Sequence, residues 1–372
     1  MKLLVISAAP LIISDSKWKA YDPYIKEMSI WAKYSDSIQF CCPIWKDEKK
    51  LLVSQVPFNF EKPIELFEFN IKSFQNAIHS IWYSLKNIVI IYKAMKSADH
   101  IHLRCPGNIG LLGCFVQILF PHKKKTAKYA GNWISQDKQP FSYKLQKTIL
   151  ENTFLTKNMN VLVYGTPKNY SKNIKPFFTA TYFESDKIEF MSKSFSDGIK
   201  FLFVGTLSAG KRPFYAIQIV EKILCLGYKA TLELYGEGME RDKLTSYLKS
   251  NNLEKNIFLK GNQTAEIIKK EYQKAHFMIL PSKSEGWPKA VAEAMFMGCL
   301  PIATKISCVP NMLNDGERGL LLEMNIDKDV DSIEKLINND TNYNAKVRKA
   351  LEWSQNYTID RFEEEIKLLL QP

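Results

Sequence analysis

The stretch Pro281-Ser282-Lys283-Ser284-Glu285-Gly286-Trp287-Pro288-Lys289-Ala290-Val291-Ala292-Glu293-Ala294-Met295-Phe296-Met297-Gly298 decides the reading of this chain. It follows His276-Phe277-Met278-Ile279-Leu280, an apolar run that reads as a buried strand. From Pro288 to Met297 the apolar residues fall at helical spacing, and Gly298 ends the run. The pattern is strand, turn, helix. Gly286 lets a backbone approach a ligand closely, and Pro288 suits a first helical turn. The free N–H groups and positive dipole end of such a helix suit a diphosphate. A turn at the carboxyl end of a strand is also where open α/β sheets bind ligands.

The same alternation extends outward. Phe201–Gly205, Thr231–Tyr235, Asn256–Leu259 and Leu300–Thr304 read as strands, separated by helical patterns at Pro213–Leu226 and Ala265–Ala275. Strict alternation predicts a parallel sheet with helices on both faces. The first half alternates less cleanly. Strands are expected at Leu3–Ser7, Ser37–Cys41, His100–Leu103, Thr126–Ala130 and Val161–Tyr164, and a long helical pattern covers Ile71–Lys96. A chain of 372 residues suits two domains. We expect 1–180 as the first, 181–356 as the second, a linker around Ile174–Ser196, and the Thr358–Leu370 helical pattern within a last segment of about 357–372.

Charge divides the halves. Residues 1–180 hold 25 Lys+Arg against 12 Asp+Glu, a net of +13, whereas the remainder nets −1. An anionic partner for the first half is one reading and a solubilising surface is the other. The basic residues form no nucleic-acid motif with interleaved stacking aromatics, so nucleic acid is not an expected partner. The seven cysteines are odd in number, form no Cys-x-x-Cys, and read as reduced thiols of a cytosolic protein. No His/Cys cluster has metal-ligand spacing, so no metal cofactor is expected. The opening Met1–Ser7 run reads as a first strand rather than a signal peptide. The apolar run Ile109–Phe120 is too short to span a bilayer. It is followed by Lys123-Lys124-Lys125, which is either a lysine patch at an anionic membrane surface or the solvated exit of a core helix.

Glu285 and Glu293 are eight positions apart, roughly 12 Å along a helix axis at about 1.5 Å per residue. That separation fits two ends of one ligand better than an acid/base pair. Glu293 is expected at a ribose and Glu285 at the transferred sugar.

Here the sequence resembles the family-4 (group 1) glycosyltransferases, whose signature is Glu-x7-Glu within such an Glu-Gly strand–turn–helix. The resemblance covers residues 200–325 and includes Val204-Gly205-Thr206-Leu207 leading to Lys211, Leu234-Tyr235-Gly236-Glu237-Gly238, Phe258-Leu259-Lys260-Gly261, and Gly298 to Ala303. It implies a GT-B architecture: two Rossmann-like domains facing a central cleft, with the C-terminal helix returning to the first domain. It further implies a nucleotide-sugar donor bound mainly by the second domain, and transfer with retention.

The donor residues implied are Gly205, Thr206, Lys211, Arg212, Gly236, Gly261, Gly286, Trp287, Pro288 and Glu293, with Glu285, Lys211 and Asn132 at the reacting centre. Thr206 departs from the family, which usually has an arginine there; Arg212, beside Lys211, is the candidate to supply that charge. The first domain departs further. Ser7-Ala8-Ala9-Pro10 stands for a glycine-rich loop, with Ala8 and Ala9 still small, and Tyr129-Ala130-Gly131-Asn132-Trp133 stands where a histidine often follows a strand. Trp133 reads as ligand-side or core. Arg104 reads either as an acceptor-phosphate ligand or as a structural ion pair.

The mechanism implied is front-face, without a covalent intermediate. Lys211 and the helix-start N–H groups would stabilise charge growing on the leaving diphosphate, without a metal. Asp327-x-Asp329-x-Asp331 has the spacing of a metal-dependent alternative, but an acidic helix start explains it more simply. The expected acceptor is a lipid-linked or growing surface glycan at the cytoplasmic face of a membrane, as in lipopolysaccharide or capsule assembly. The competing readings are a nucleotide-sugar epimerase and a degenerate donor-binding scaffold.

Overall fold

The computed structural model describes residues 1–49, 52–69, 74–134, 139–166 and 170–371, with the backbone only for 74–79. It divides into two units: Met1–Phe177 with Glu363–Pro372, and Phe178–Phe362.

The first unit is built on seven parallel strands, in the order Ile174–Phe177, Met159–Tyr164, Lys124–Tyr129, His100–Cys105, Lys2–Ile6, Ser37–Cys42, Glu61–Glu65. Alternation along each strand sends successive side chains to opposite faces. One face carries Leu4, Ile6, Ile101, Leu103, Ala127, Val161 and Val163, packed on Ile91 and Met95 of the Phe74–Ser97 helix and Ile109 and Leu112 of the Asn108–Val116 helix. The opposite face is buried as well, which is the usual condition of a parallel sheet. The opposite face is the unusual one. It carries His100, His102, Thr126 and Lys128, all buried, with the His102 ring 4.2 Å from Trp31 of the Asp22–Lys33 helix.

The second unit has six parallel strands, in the order Ile257–Gly261, Ala230–Tyr235, Ile199–Val204, Phe277–Leu280, Leu300–Thr304, Leu320–Leu322. The chain runs to one edge, returns, and continues on the other side of Ile199–Val204. This order places a topological switch point between Ile199–Val204 and Phe277–Leu280. Its core joins Phe201, Phe203, Leu232, Leu234, Phe277 and Ile279 to the Pro213–Cys225 and Ile326–Ile337 helices.

Several expectations change. Ile174–Phe177 is a strand of the first sheet rather than the start of a linker, because it pairs with Val161–Tyr164. The terminal helix Ile359–Leu370 divides at Glu363, after which the chain groups with the first unit. The long helix is described from Phe74; the expected start at Ile71 lies outside the described residues. A small sheet of Leu11–Ser14, Lys17–Tyr21, Ile44–Trp45 and Val53–Gln55 was not expected. Ile109–Phe120 is a core helix plus a 3-10 turn. The three lysines that follow it have different environments: Lys124 is exposed, Lys125 is buried, its ammonium donating to the carbonyls of Gln117 (3.3 Å) and Phe120 (3.0 Å), and Lys123 donates to the carbonyls of Lys96 and Ala98. Burial pushes the Lys125 ammonium down to about 8.

Candidate functional site

At the switch point of the second unit, two loops meet. The first leaves Ile199–Val204 through Gly205, exposed Thr206 and Leu207 and reaches Lys211 and Arg212. The second leaves Phe277–Leu280 and runs from Pro281 to Pro288 into the Lys289–Phe296 helix. The Lys283 N–H donates to the Gly210 carbonyl at 2.8 Å and fastens one loop to the other. The Lys211 ammonium then lies 2.5 Å from Glu285 Oε1, with the Glu285 side chain only 10% exposed and Lys211 31%. Seventy-four residues of sequence separate this pair. Lys211, not Arg212, makes the contact; Arg212 stands at the helix N-cap in the left-handed backbone region, with φ 51°.

The glycines close the floor. The Gly205 N–H donates to the Tyr235 carbonyl and the Gly236 N–H to the Gly261 carbonyl, both at 2.9 Å, joining the carboxyl ends of three strands. Gly236 has φ 142°, and a Cβ there would sit 2.0 Å from the Gly205 carbonyl oxygen. A Cβ on Gly238 would meet the Leu207 carbonyl oxygen at 2.3 Å. Only glycine fits at either position. The turn before the helix is held from the next strand. The Ser307 hydroxyl donates to the Gly286 carbonyl at 2.9 Å, the Cys308 thiol reaches it at 3.2 Å, and Thr304 Oγ1 donates to the Ser282 carbonyl at 2.7 Å. Sequence reasoning missed these three. Their signal was modest: polar residues at and just past the end of the Leu300–Thr304 strand.

Glu293 is farther along the helix and is not idle. Its Oε1 accepts the Thr181 hydroxyl at 2.7 Å. Burial raises its carboxyl above the ordinary range, and the Thr181 bond and Lys289 act against that. A carboxylate has about four lone-pair sites, so Thr181 leaves acceptor capacity for a ribose hydroxyl. Trp287 was expected on the donor. Its indole stacks on Trp353 (6.4 Å, 25°) and meets Tyr357 edge-on at 5.6 Å. The Arg318 guanidinium lies 5.1 Å over the other side of the cluster, on Trp353. Trp287 thus packs the turn against the unit's own helix Asp340–Ser354. Pro288 caps the Lys289–Phe296 helix, accepting the Val291 N–H at 3.0 Å.

The candidate residues of the first unit lie at the carboxyl ends of its strands. Ala8 is exposed and 3.6 Å from where a Gly107 Cβ would be, and the Ala9 N–H donates to Ser7 Oγ at 2.9 Å. Asn132 Oδ1 accepts the Ile134 N–H at 3.1 Å in a local turn. Trp133 is core, 3% exposed and edge-on to Tyr129. For Arg104 the structure supplies the ion pair: Glu27 lies 3.0 Å from its guanidinium and 2.9 Å from the Lys128 ammonium. Burial opposes ionisation of Glu27, yet Lys128 and Arg104 together hold its carboxyl at about 2.

Among the described residues, no group of three or more His, Cys, Asp or Glu is placed to hold a metal ion. Asp327 and Asp329 are taken up structurally, by Lys222 and by the Tyr215 hydroxyl (2.6 Å) respectively. No described helix is long and apolar enough to cross a membrane. All seven cysteines are free thiols, and only Cys225 is exposed.

A switch-point site floored by glycines, with a lysine–glutamate pair beside a helix start, lies where open α/β sheets bind ligands. Residues 184–353, within the second unit, match the family model for glycosyl transferases group 1. Among curated relatives, the Staphylococcus aureus poly(ribitol-phosphate) alpha-N-acetylglucosaminyltransferase is 26% identical over 73% of this chain and 54% of its own length. The chain thus spans about half of that relative. Among solved structures, a sucrose-phosphate synthase from Thermosynechococcus elongatus matches with a TM-score of 0.65 at 15% identity, covering 99% of this chain and 98% of its own. Anabaena HepE in complex with UDP matches with a TM-score of 0.66 at 13% identity over 98% and 97%. These likenesses establish a GT-B fold.

Proposed function

We propose that the chain is a retaining, metal-independent glycosyltransferase of the family-4 type, moving a sugar from a nucleotide-sugar donor to a surface-glycan acceptor. The observation that carries this reading is the Lys211–Glu285 pair, brought together at the switch point beside the Lys289–Phe296 helix start. In the transition state, negative charge grows on the leaving diphosphate. The Lys211 ammonium and the N–H groups at that helix start stabilise it electrostatically, at fixed positions that need no reorganisation. Glu285 holds Lys211 in place when the site is empty and orients the hydroxyls of the transferred sugar when it is filled. Glu293 accepts from the nucleotide ribose. Arg212 stands in for the arginine that Thr206 replaces. The acceptor belongs to the first unit, and the S. aureus relative's name supports a polyol-phosphate glycan as its class.

The reading includes work at the inner, anionic face of a membrane. Its support is the net +13 of residues 1–180 and an exposed apolar stripe on the Phe74–Ser97 helix, formed by Trp82, Leu85, Val89 and Tyr92 with Lys86 and Lys93 beside it.

The test is transfer by the purified chain from a panel of nucleotide sugars to a polyol-phosphate acceptor, with product anomer read by NMR. Transfer with retention in excess chelator supports the proposal. Epimerised donor without transfer would replace it with the epimerase reading.

A further inference from the structure

The first unit has a second basic feature, remote from the carboxyl ends of its strands. At their amino ends, where His100–Cys105, Lys124–Tyr129 and Met159–Tyr164 begin, lies an open cleft of about 550 Å³. Lys124, Lys125, Lys157 and Lys172 line it, and no carboxylate does among the described residues. Two of these cations already have work: Lys125 caps the Gln117 and Phe120 carbonyls, and Lys124 donates to the Gln371 carbonyl at 3.1 Å. Lys157 and Lys172 are exposed and form no hydrogen bond or ion pair with a described residue; the Lys157 ammonium rests 5.2 Å over the ring of Phe154. His100 lines the same cleft at 1% exposure, and its Nδ1 is buried with no hydrogen-bond partner, while its Nε2 meets Thr126 Oγ1 at 3.0 Å. A buried polar atom without a partner needs an explanation in a native structure. Four cations with no carboxylate among the described lining residues repel one another, and an anion in the cleft removes that repulsion.

We propose that this cleft is a phosphate-binding site, separate from the donor site, for a ligand carrying more than one negative charge. A phosphate oxygen takes charge-assisted hydrogen bonds from Lys157 and Lys172, with Lys124 and Lys125 adding field. The phosphate comes either from a soluble phosphorylated compound or from a lipid headgroup. Exposed Phe154 and Leu368, 75% and 63% accessible, stand near the cleft and on its rim and suit the second source.

The test uses the full chain at low salt, with inorganic pyrophosphate by calorimetry and with phosphatidylcholine/phosphatidylglycerol vesicles by flotation. Lys157→Gln/Lys172→Gln should weaken binding on the order of tenfold or more. Asn160→Asp, which places a carboxylate in the cleft, should weaken it similarly. Lys46→Gln/Lys62→Gln removes the same charge from exposed positions outside the cleft and should leave binding unchanged. Pyrophosphate binding lost in the cleft variants assigns a soluble source, and vesicle binding alone, lost in the same variants, assigns the headgroup. No binding of either probe by the parent chain, or equal losses in the two double variants, overturns the proposal. Matching thermal melts of all variants establish that the fold is intact.

Discussion

Glu27→Gln removes a carboxylate that pairs with both Arg104 and Lys128 inside the first unit, and the structure sets the size of the effect. The Glu27 side chain is 11% exposed and lies 3.0 Å from Arg104 and 2.9 Å from Lys128, whose side chains are 18% and 1% exposed. At an effective dielectric near 20, each pair attracts by about 5 kcal/mol before desolvation offsets most of it. The net is read from the carboxyl itself, held at about 2 instead of 4.5. At 1.36 kcal/mol per pH unit, that corresponds to about 3 kcal/mol. Removing one partner of a buried pair costs about 3–5 kcal/mol, which agrees. The folded carboxyl is more acidic than the unfolded one, so this stability is fully present above about pH 4.5. It is lost as pH falls from there towards 2. Urea unfolding at pH 7, followed by signals assigned to the first unit, should show E27Q less stable by about 3 kcal/mol, with a flatter dependence than the parent below pH 4.5. A difference under about 0.5 kcal/mol, or parallel acid profiles, would refute the reasoning.

Lys211→Ala should lower turnover about 10²–10³-fold, the usual loss for one preorganised charge at a developing oxyanion, with the donor KM moving much less; steady-state kinetics check this. Glu293→Gln should weaken UDP binding by about tenfold in calorimetry, whereas Glu285→Gln should spare UDP binding and lower turnover. Gly236→Ala should destabilise the second unit by about 1–3 kcal/mol in thermal unfolding, because its Cβ would sit 2.0 Å from the Gly205 carbonyl oxygen.

The second unit was largely legible because its strands are doubly buried and read as apolar runs, such as Phe277–Leu280 and Ile199–Val204. The Lys211 and Glu285 loops were legible as motifs; their contact was not, since only strand order brings them together. The first unit resisted because one face of its sheet is polar. His100, His102, Thr126 and Lys128 interrupt the apolar pattern, and their burial depends on Thr126 hydroxyl contacts and on Glu27 from a distant helix. Lys125 shows the same difficulty at one residue. Within Lys123–Lys125 it looks like surface charge, yet it is buried because helix-end carbonyls need a donor. The packing of Trp287 was not legible from the motif, since its partners Trp353 and Tyr357 lie some seventy residues on. The small sheet at Leu11–Tyr21 was hidden by its brevity and by the lysines on Lys17–Tyr21.

The most direct test of the central claim is single-turnover sugar transfer by the purified chain, in excess chelator, comparing the parent with Lys211→Ala. The parent should transfer the sugar with its anomeric configuration retained and unaffected by chelator, and K211A should bind the donor but transfer it at least about a hundredfold more slowly. Parent activity that vanishes in chelator and returns with metal, or a K211A rate equal to the parent's, would contradict it.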